Sequence, residues 1–445
     1  MRSSQEQQPP ILKIFGRRGM MKAKKILKLE TVLFTALITL IISVFPPQTA
    51  SQPAEKPVKI LAVVGGRLID GTGANPVDEA VVIIANDRIV ACGKRGQVSI
   101  PREAKIIDAK GKTVIPGLID AHLHFTYPPK EEEFFFINEA ISSFRAANLL
   151  RKMLFIGVTT VRDVASFQNV GYEARKAFNS GILEGSRPIV TGPGITSTGG
   201  HGTEGYRLGI VEEADGADGF RRAVRARIKQ GADLIKVLPP YSREEILAAV
   251  EEAHYHEKFI TVHSGVYKAQ YDFVRWAVEA GADCIEHAYA LPEDVIPRMA
   301  AKKIYCIPTL SILIKLGKQY KEKGPEWDWK VKKYFECREL FSKLRAAGVR
   351  MAVGTDAVGE NMAAYPHFYF EEAENFVSLG ASPMEAIVAA TKTAAEVCAA
   401  GDRLGTIEEG KIADLVILAG DPLKDIKQLR TAELVIQAGR LISLK

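Results

Sequence analysis

The chain has 445 residues, 47% hydrophobic and 25% charged, with a formal net charge of +6. This ordinary globular usage excludes wholesale disorder and a multi-span membrane protein, and the length calls for a barrel-sized unit with an accessory piece. Arg17, Arg18, Lys22, Lys24, Lys25 and Lys28 supply much of the positive excess, so the rest is close to neutral and offers no nucleic-acid surface.

The first segment has the order of an export signal. Lys22 to Lys28 is basic, Thr31 to Phe45 is an apolar run, and Pro46-Pro47 breaks it before Ala50 and Ser51. The apolar run is shorter than the roughly 20 residues a membrane span needs. Cleavage after Ala50 would leave Gln48 at a position that prefers a small residue, so an uncleaved anchor over residues 29–45 stays open. Either outcome predicts an exported protein, periplasmic or extracellular, touching membrane only through this segment. Residues 1–56 are set aside as signal peptide and leader.

From Val58 the chain reads as short strands separated by turns: Val58 to Val64, Arg67 to Asp70, Ala80 to Ala85, Arg88 to Cys92 and Ala104 to Asp108. After Gly111-Lys112, apolar strand runs alternate with amphipathic helical stretches, the pattern of a parallel sheet. Eight buried strands can be counted: Val114 to His122, Val158 to Val164, Pro188 to Thr191, Leu234 to Val237, Phe259 to His263, Cys284 to His287, Ile304 to Ile307 and Met351 to Thr355. Eight closes a (β/α)8 TIM barrel. Strand texture returns in Ala413 to Leu418 and Leu434 to Ile442. The expected architecture is therefore an α/β barrel over 114–402 with a small split β-sandwich domain made of 58–113 and 403–445. The stretch Tyr320 to Arg345, with Trp327 and Trp329, reads as a charged helical excursion after the seventh strand.

Five cysteines, Cys92, Cys284, Cys306, Cys337 and Cys398, are scattered and odd in number, which indicates neither a disulfide framework nor a cysteine zinc site. Cys284 and Cys306 read as buried inert thiols. The histidines are more informative. His122 and His124 are two apart at the end of the first barrel strand, so they point the same way and can meet one ion. His254 and His256 end a helical run, where that spacing diverges, and read as surface. Lys236, His263, His287 and Asp356 fall at the ends of the fourth, fifth, sixth and eighth strands, and all such ends open onto one face of a barrel. Imidazole and carboxylate are ordinary ligands for zinc and similar divalent ions. A lysine amine is protonated at neutral pH and ligates poorly, so Lys236 requires a separate reason.

His122-x-His124 preceded by Val114-Ile-Pro-Gly-Leu-Ile-Asp120, followed by Lys236, His263, His287 and Thr355-Asp356, resembles the amidohydrolase superfamily across nearly all of 58–445. Leu404-Gly-Thr-Ile-Glu-Glu-Gly-Lys-Ile-Ala-Asp-Leu-Val-Ile417 is similar to that family's return to its sandwich. The resemblance implies that His122, His124 and Asp356 hold one ion, His263 and His287 a second, and carboxylated Lys236 bridges the two, most simply two Zn2+. Without carboxylation a single metal is expected, with Lys236 pairing with Asp356. Asp356 would take a proton from the metal-activated water and pass it to the leaving group.

Thr196-Ser-Thr-Gly-Gly-His201-Gly resembles the imidazolonepropionase-like and Xaa-Pro dipeptidase-like branch, which marks His201 as a candidate to stabilise the oxyanion, against the plainer reading of a solvated turn. His367 in Tyr365-Pro-His367 matches a histidine of that branch, although Phe368 stands where glycine is usual. Tyr241 and Tyr267 are candidate substrate contacts near strand ends. Tyr289 and Arg162 lie at similar positions and could also line the pocket, and for all four a structural role is the plainer reading. The resulting expectation is a hydrolase cleaving an amide bond of a dipeptide or N-acyl amino acid. A cyclic amide, lactone or organophosphate-type ester is the alternative substrate, and an exported non-catalytic binding protein the alternative class. A small-molecule or dipeptide partner is expected, and a homo-oligomer is compatible with the sequence.

Overall fold

The computed structural model describes residues 58–130, 133–134, 136–203, 209–265, 270–289, 291–314, 328–358, 365 and 367–444. The leader assigned to 1–56 and the candidate Tyr267 lie outside them, as does Trp327. No helix among the described residues is long and apolar enough to cross a membrane.

The chain opens with β1 (Ile60–Leu68), β2 (Val77–Ala85), β3 (Arg88–Lys94), β4 (Lys105–Asp108) and β5 (Thr113–Pro116). β1 runs through the stretch expected to hold two strands, because register shifts after Val64 and Gly66 absorb Gly65-Gly66 without ending the ladder. Alternation decides which residues are inside: Leu61, Val63, Val82 and Ile84 point to one buried face, while Ala62, Val81 and Ile83 point to the other.

The expected first barrel strand, Val114 to His122, is two strands. β5 pairs with β1, and β6 (Leu118–Leu123) starts the parallel region. Gly117 separates them: a Cβ there would lie 2.2 Å from Thr159 Oγ1, so the backbone crosses too close for any other residue. β6 then pairs with β7 (Val158–Asp163), and β7 with β8 (Arg187–Val190), all parallel. A second parallel sheet combines β9 (Gly194–Thr196), β10 (Val211–Glu213), β11 (Ile235–Val237), β12 (Ile260–His263), β13 (Cys284–Glu286) and β14 (Tyr305–Ile307) in the order β10-β9-β11-β12-β13-β14. Helices alternate with these strands, some with clear starts: Ser242 and Glu245 form a capping box ahead of Arg243–Tyr255, and Ser382 and Glu385 another ahead of Pro383–Ala390.

β9 and β10 were not expected. The eighth expected strand, Met351 to Thr355, is not a regular strand; it bridges Cys306 on one side, and its Val353 carbonyl accepts from Ala121 N–H (3.0 Å) on the other. Gly354 explains the irregularity, since a Cβ there would lie 2.8 Å from His122 Cβ and 2.9 Å from His122 N. The expected helical excursion is present as Asp328–Ala346.

The last strands, β15 (Leu415–Leu418), β16 (Ala432–Gln437) and β17 (Arg440–Ile442), complete the first sheet in the order β17-β16-β15-β5-β1-β2-β3, with β4 beside β1. Leu415, Ile417 and Ile436 close the core begun by Leu61 and Ile84. Val416 and Val435, on the other face, join the large core around Ile115, Leu118 and Met153. The result is a mixed α/β fold whose parallel strands all end toward one set of loops.

Candidate metal centre

His122 occupies the end of β6 and His124 the position just past it. Lys236 is the middle residue of β11, His263 the last of β12, and His287 the first after β13. Asp356 follows Gly354-Thr355. Ligand atoms of His122, His124 and Asp356 lie within 4.8 Å of one another, a spacing that can hold one metal ion. Asp356 Oδ1 is 3.3 Å from His122 Nε2 and 3.2 Å from His124 Nε2. The His287 ring is 4.7 Å from that of His122 and 4.4 Å from that of His263, so it joins the two groups.

Two of these residues reach the cluster through left-handed backbone: φ is +69° at His287 and +51° at Asp356. Non-glycine residues there cost on the order of 1–3 kcal/mol, and surrounding bonds hold them in place. Asp120, buried on β6, takes the Thr355 N–H at 3.0 Å, the Thr355 hydroxyl at 2.8 Å and the Tyr365 hydroxyl, which fixes the turn presenting Asp356. His287 Nδ1 is 2.9 Å from Thr309 Oγ1, and the Tyr289 hydroxyl meets the same oxygen while its ring stacks on His287.

Electrostatics divide the histidines. Burial opposes charge on His122, yet Glu286 and Asp356 outweigh it and raise its pKa. Burial lowers His124 to about 4, and burial with neighbouring His287 puts His263 well below the usual range. His287 is also held low, chiefly by burial. Asp356 is held well below the ordinary carboxylate value by His122 and His287 despite its burial. The metal-free site thus favours neutral imidazoles at three positions beside an ionised carboxylate, the protonation states that ligation requires.

Lys236 is 2% exposed, and its Nζ has no hydrogen-bond partner among the described residues. Burial brings its pKa down to about 8, against the pull of Glu286. An orphaned buried amine is rare and costly. A carboxyl group added to that amine would give it donor oxygens for a divalent ion, so the donor set fits a metal.

The remaining candidates divide. The His201 ring stands 4.7 Å from that of His263, and the backbone N–H of His201 donates to the Pro239 carbonyl (2.9 Å), which places the residue at the cluster. His367 is exposed, and its Nδ1 accepts from Arg430 at 3.1 Å, so one ring nitrogen is already engaged away from the histidine cluster. The Tyr241 hydroxyl is committed to the Phe273 carbonyl (3.0 Å) and its ring is core, so it offers substrate no free donor. Arg162 is buried beneath the site and does not line it. His254 and His256 pair with Asp283 and Glu252 near the surface, and Cys284 and Cys306 are buried strand residues, all as expected.

Sequence reasoning missed Asp120, Asp163, Glu286 and Thr309. Asp163, buried and pushed by that burial up to about 7, has Oδ1 4.0 Å from His124 Nδ1. Glu286 was discoverable only as an acid adjoining a ligand histidine.

Comparison with known proteins agrees with this geometry. The Amidohydrolase family matches residues 113–441. The chain is 28% identical over 409 residues to ochratoxinase from Aspergillus niger, covering 80% of this chain and 81% of that protein. It is 24% identical over 388 residues to imidazolonepropionase from Geobacillus sp., covering 76% and 84%. Among solved structures, a Xaa-Pro dipeptidase with bound methionine aligns at TM-score 0.77 and 29% identity over 86% of this chain and all of that one. With a match that runs from β5 to β17, the chain belongs to the amidohydrolase family.

Proposed function

We propose that this protein is an exported metal-dependent hydrolase that cleaves the amide bond of a dipeptide or N-acyl amino acid. The observation that carries the reading is the convergence of His122, His124, His263, His287 and Asp356 near the buried Lys236 amine, whose Nζ has no hydrogen-bond partner among the described residues. In this reading the two parallel sheets form one (β/α)8 barrel, supported by the Cys306–Met351 and Leu123–Ala357 bridges, which join an outer strand of each sheet to the 351–357 segment.

His122, His124 and Asp356 would hold one divalent ion, and His263 and His287 a second, with carboxylated Lys236 between them. Bound there, such ions supply Lewis acidity, acidifying water and polarising the scissile carbonyl. Asp356, ionised and fixed by the Asp120–Thr355 bonds, accepts the proton of the attacking water and returns it to the departing nitrogen. His201 donates a hydrogen bond to the carbonyl oxygen as charge develops on it. The burial of the cluster keeps bulk water from competing.

Peptide-like substrates are favoured by the likeness to a Xaa-Pro dipeptidase. The relation to imidazolonepropionase, named for a ring, supports a cyclic amide as second reading. Purified protein is expected to carry divalent metal, to lose turnover of Xaa-Pro dipeptides or N-acyl amino acids on chelation, and to regain it with zinc. Turnover of lactones or esters alone would overturn the peptide assignment, and metal-free protein inert with added zinc would overturn the enzyme.

A further inference from the structure

We propose that Glu286 and Arg162 form a buried positioning pair that locks His122 with its Nε2 toward the metal, thereby setting the affinity of the His122–His124–Asp356 half of the site. The inference rests on the metal-dependent reading above and names residues outside its ligand set.

Glu286 is 0% exposed, and the partners of its carboxylate lie on the parallel strands β6, β7 and β12. Its Oε2 lies 2.6 Å from His122 Nδ1, and its Oε1 receives both an Arg162 guanidinium nitrogen and the Thr261 hydroxyl. Arginine only donates and is always charged, so its guanidinium against Oε1 favours Glu286 as a carboxylate. The remaining oxygen then also accepts, and the proton between it and His122 belongs to Nδ1. In the neutral ring this leaves the Nε2 lone pair pointing to Asp356 and the ion position. A carboxylate behind a ligand histidine fixes ring orientation and raises ligand basicity.

Arg162 extends the hold to the backbone. Its Nε donates to the carbonyl of Ala121, the residue before His122, and another nitrogen donates to Val397 at 3.1 Å, the end of the helix Lys392–Val397. One guanidinium from β7 therefore ties β6, β13 and a helix C-terminus together. His287 is held differently: its Nδ1 meets the Thr309 hydroxyl at 2.9 Å and stands 3.7 Å from Asp356 Oδ2, itself a candidate ligand. The carboxylate behind His122 is thus one outside the candidate ligand set, whereas the one near His287 Nδ1 belongs to it.

The test uses the full chain carrying Glu286→Gln and, separately, Glu286→Gln with Arg162→Met, which removes both buried charges together and leaves no uncompensated arginine. Bound zinc is measured during titration with a chelator, and the His122 tautomer is read by 15N NMR of the metal-free protein at a pH high enough for the ring to be neutral. Folding is verified by circular dichroism. The expected result is a loss of zinc affinity of about 10- to 100-fold, together with loss of the protonated Nδ1 signal of His122. If the single variant does not fold, the double variant decides. A folded double variant that keeps wild-type zinc affinity and the same tautomer overturns the inference while leaving the metal-dependent function intact. Wild-type protein that binds no zinc overturns the function itself.

Discussion

Inside the split sheet, side chains turned to the core are apolar throughout: Leu61, Val63, Val82, Ile84, Leu415, Ile417 and Ile436. Inside the parallel strands, equally complete burial is given to Asp120, Arg162, Lys236 and Glu286. The first interior follows the area rule, in which each apolar side chain withdrawn from water stabilises the fold. The second withdraws charges at a cost, and offsets that cost with fixed partners for Asp120, Arg162 and Glu286 but not for the Lys236 amine. The contrast separates a region that holds the protein together from one whose arrangement makes sense only for chemistry.

The comparison predicts that substitutions in the two regions change different quantities. Asp356→Asn keeps the shape and removes the proposed proton acceptor, so kcat is expected to fall about 10²- to 10⁴-fold with the fold retained. A steady-state assay beside a urea titration checks both halves of that statement. Ile84→Ala, in the apolar interior, is expected to lower the unfolding free energy by about 2–5 kcal/mol while leaving kcat unchanged in the folded fraction. A comparable loss of kcat at Ile84 would end the separation.

Lys236 supplies the finest distinction. Its folded pKa of about 8 lies below its ordinary value of 10.5, so between these values the unfolded chain binds more protons than the folded one. Stability of the chelated protein is therefore expected to rise as pH increases from about 8 toward 10.5, the charged buried amine being least tolerated below that window. Lys236→Met removes the amine and should abolish the rise. Urea titrations of both proteins across that range measure it, and parallel profiles would show that Lys236 is not the group responsible.

Much of the site could be read in the linear chain, because strand ends are marked by apolar runs and each ligand sits at one. His122, His124, Lys236, His263, His287 and Asp356 were all accessible in this way. Glu286 was not. Consecutive side chains of a strand point to opposite faces, so Glu286 and His287 cannot both face inward in regular β structure. The left-handed turn at His287 breaks the alternation and returns its ring to the site. Thr309 was hidden for a similar reason, being a β-branched residue at φ +47° that no propensity favours. The boundary at Gly117 depends on contact with Thr159, 42 positions away, and the engagement of His367 by Arg430 depends on a partner 63 positions on. In both cases information held in tertiary approach is absent from local pattern. In the fold, the alternation of strand and helix was visible, while β9 and β10, three residues each, were too short to leave a signature.

The place of β15 in the first sheet has a consequence for synthesis. It lies between β5 and β16, and its Leu415 and Ile417 complete a core begun by Leu61 some 350 residues earlier in translation. A ribosome releases the first five strands long before their neighbour exists, leaving the open edge of β5 exposed to adventitious pairing. Such distant contacts form slowly and late. The parallel region, whose neighbours follow one another in the chain, can assemble as it emerges. The split sheet then closes last, joining the two ends of a protein whose reactive interior is already in place.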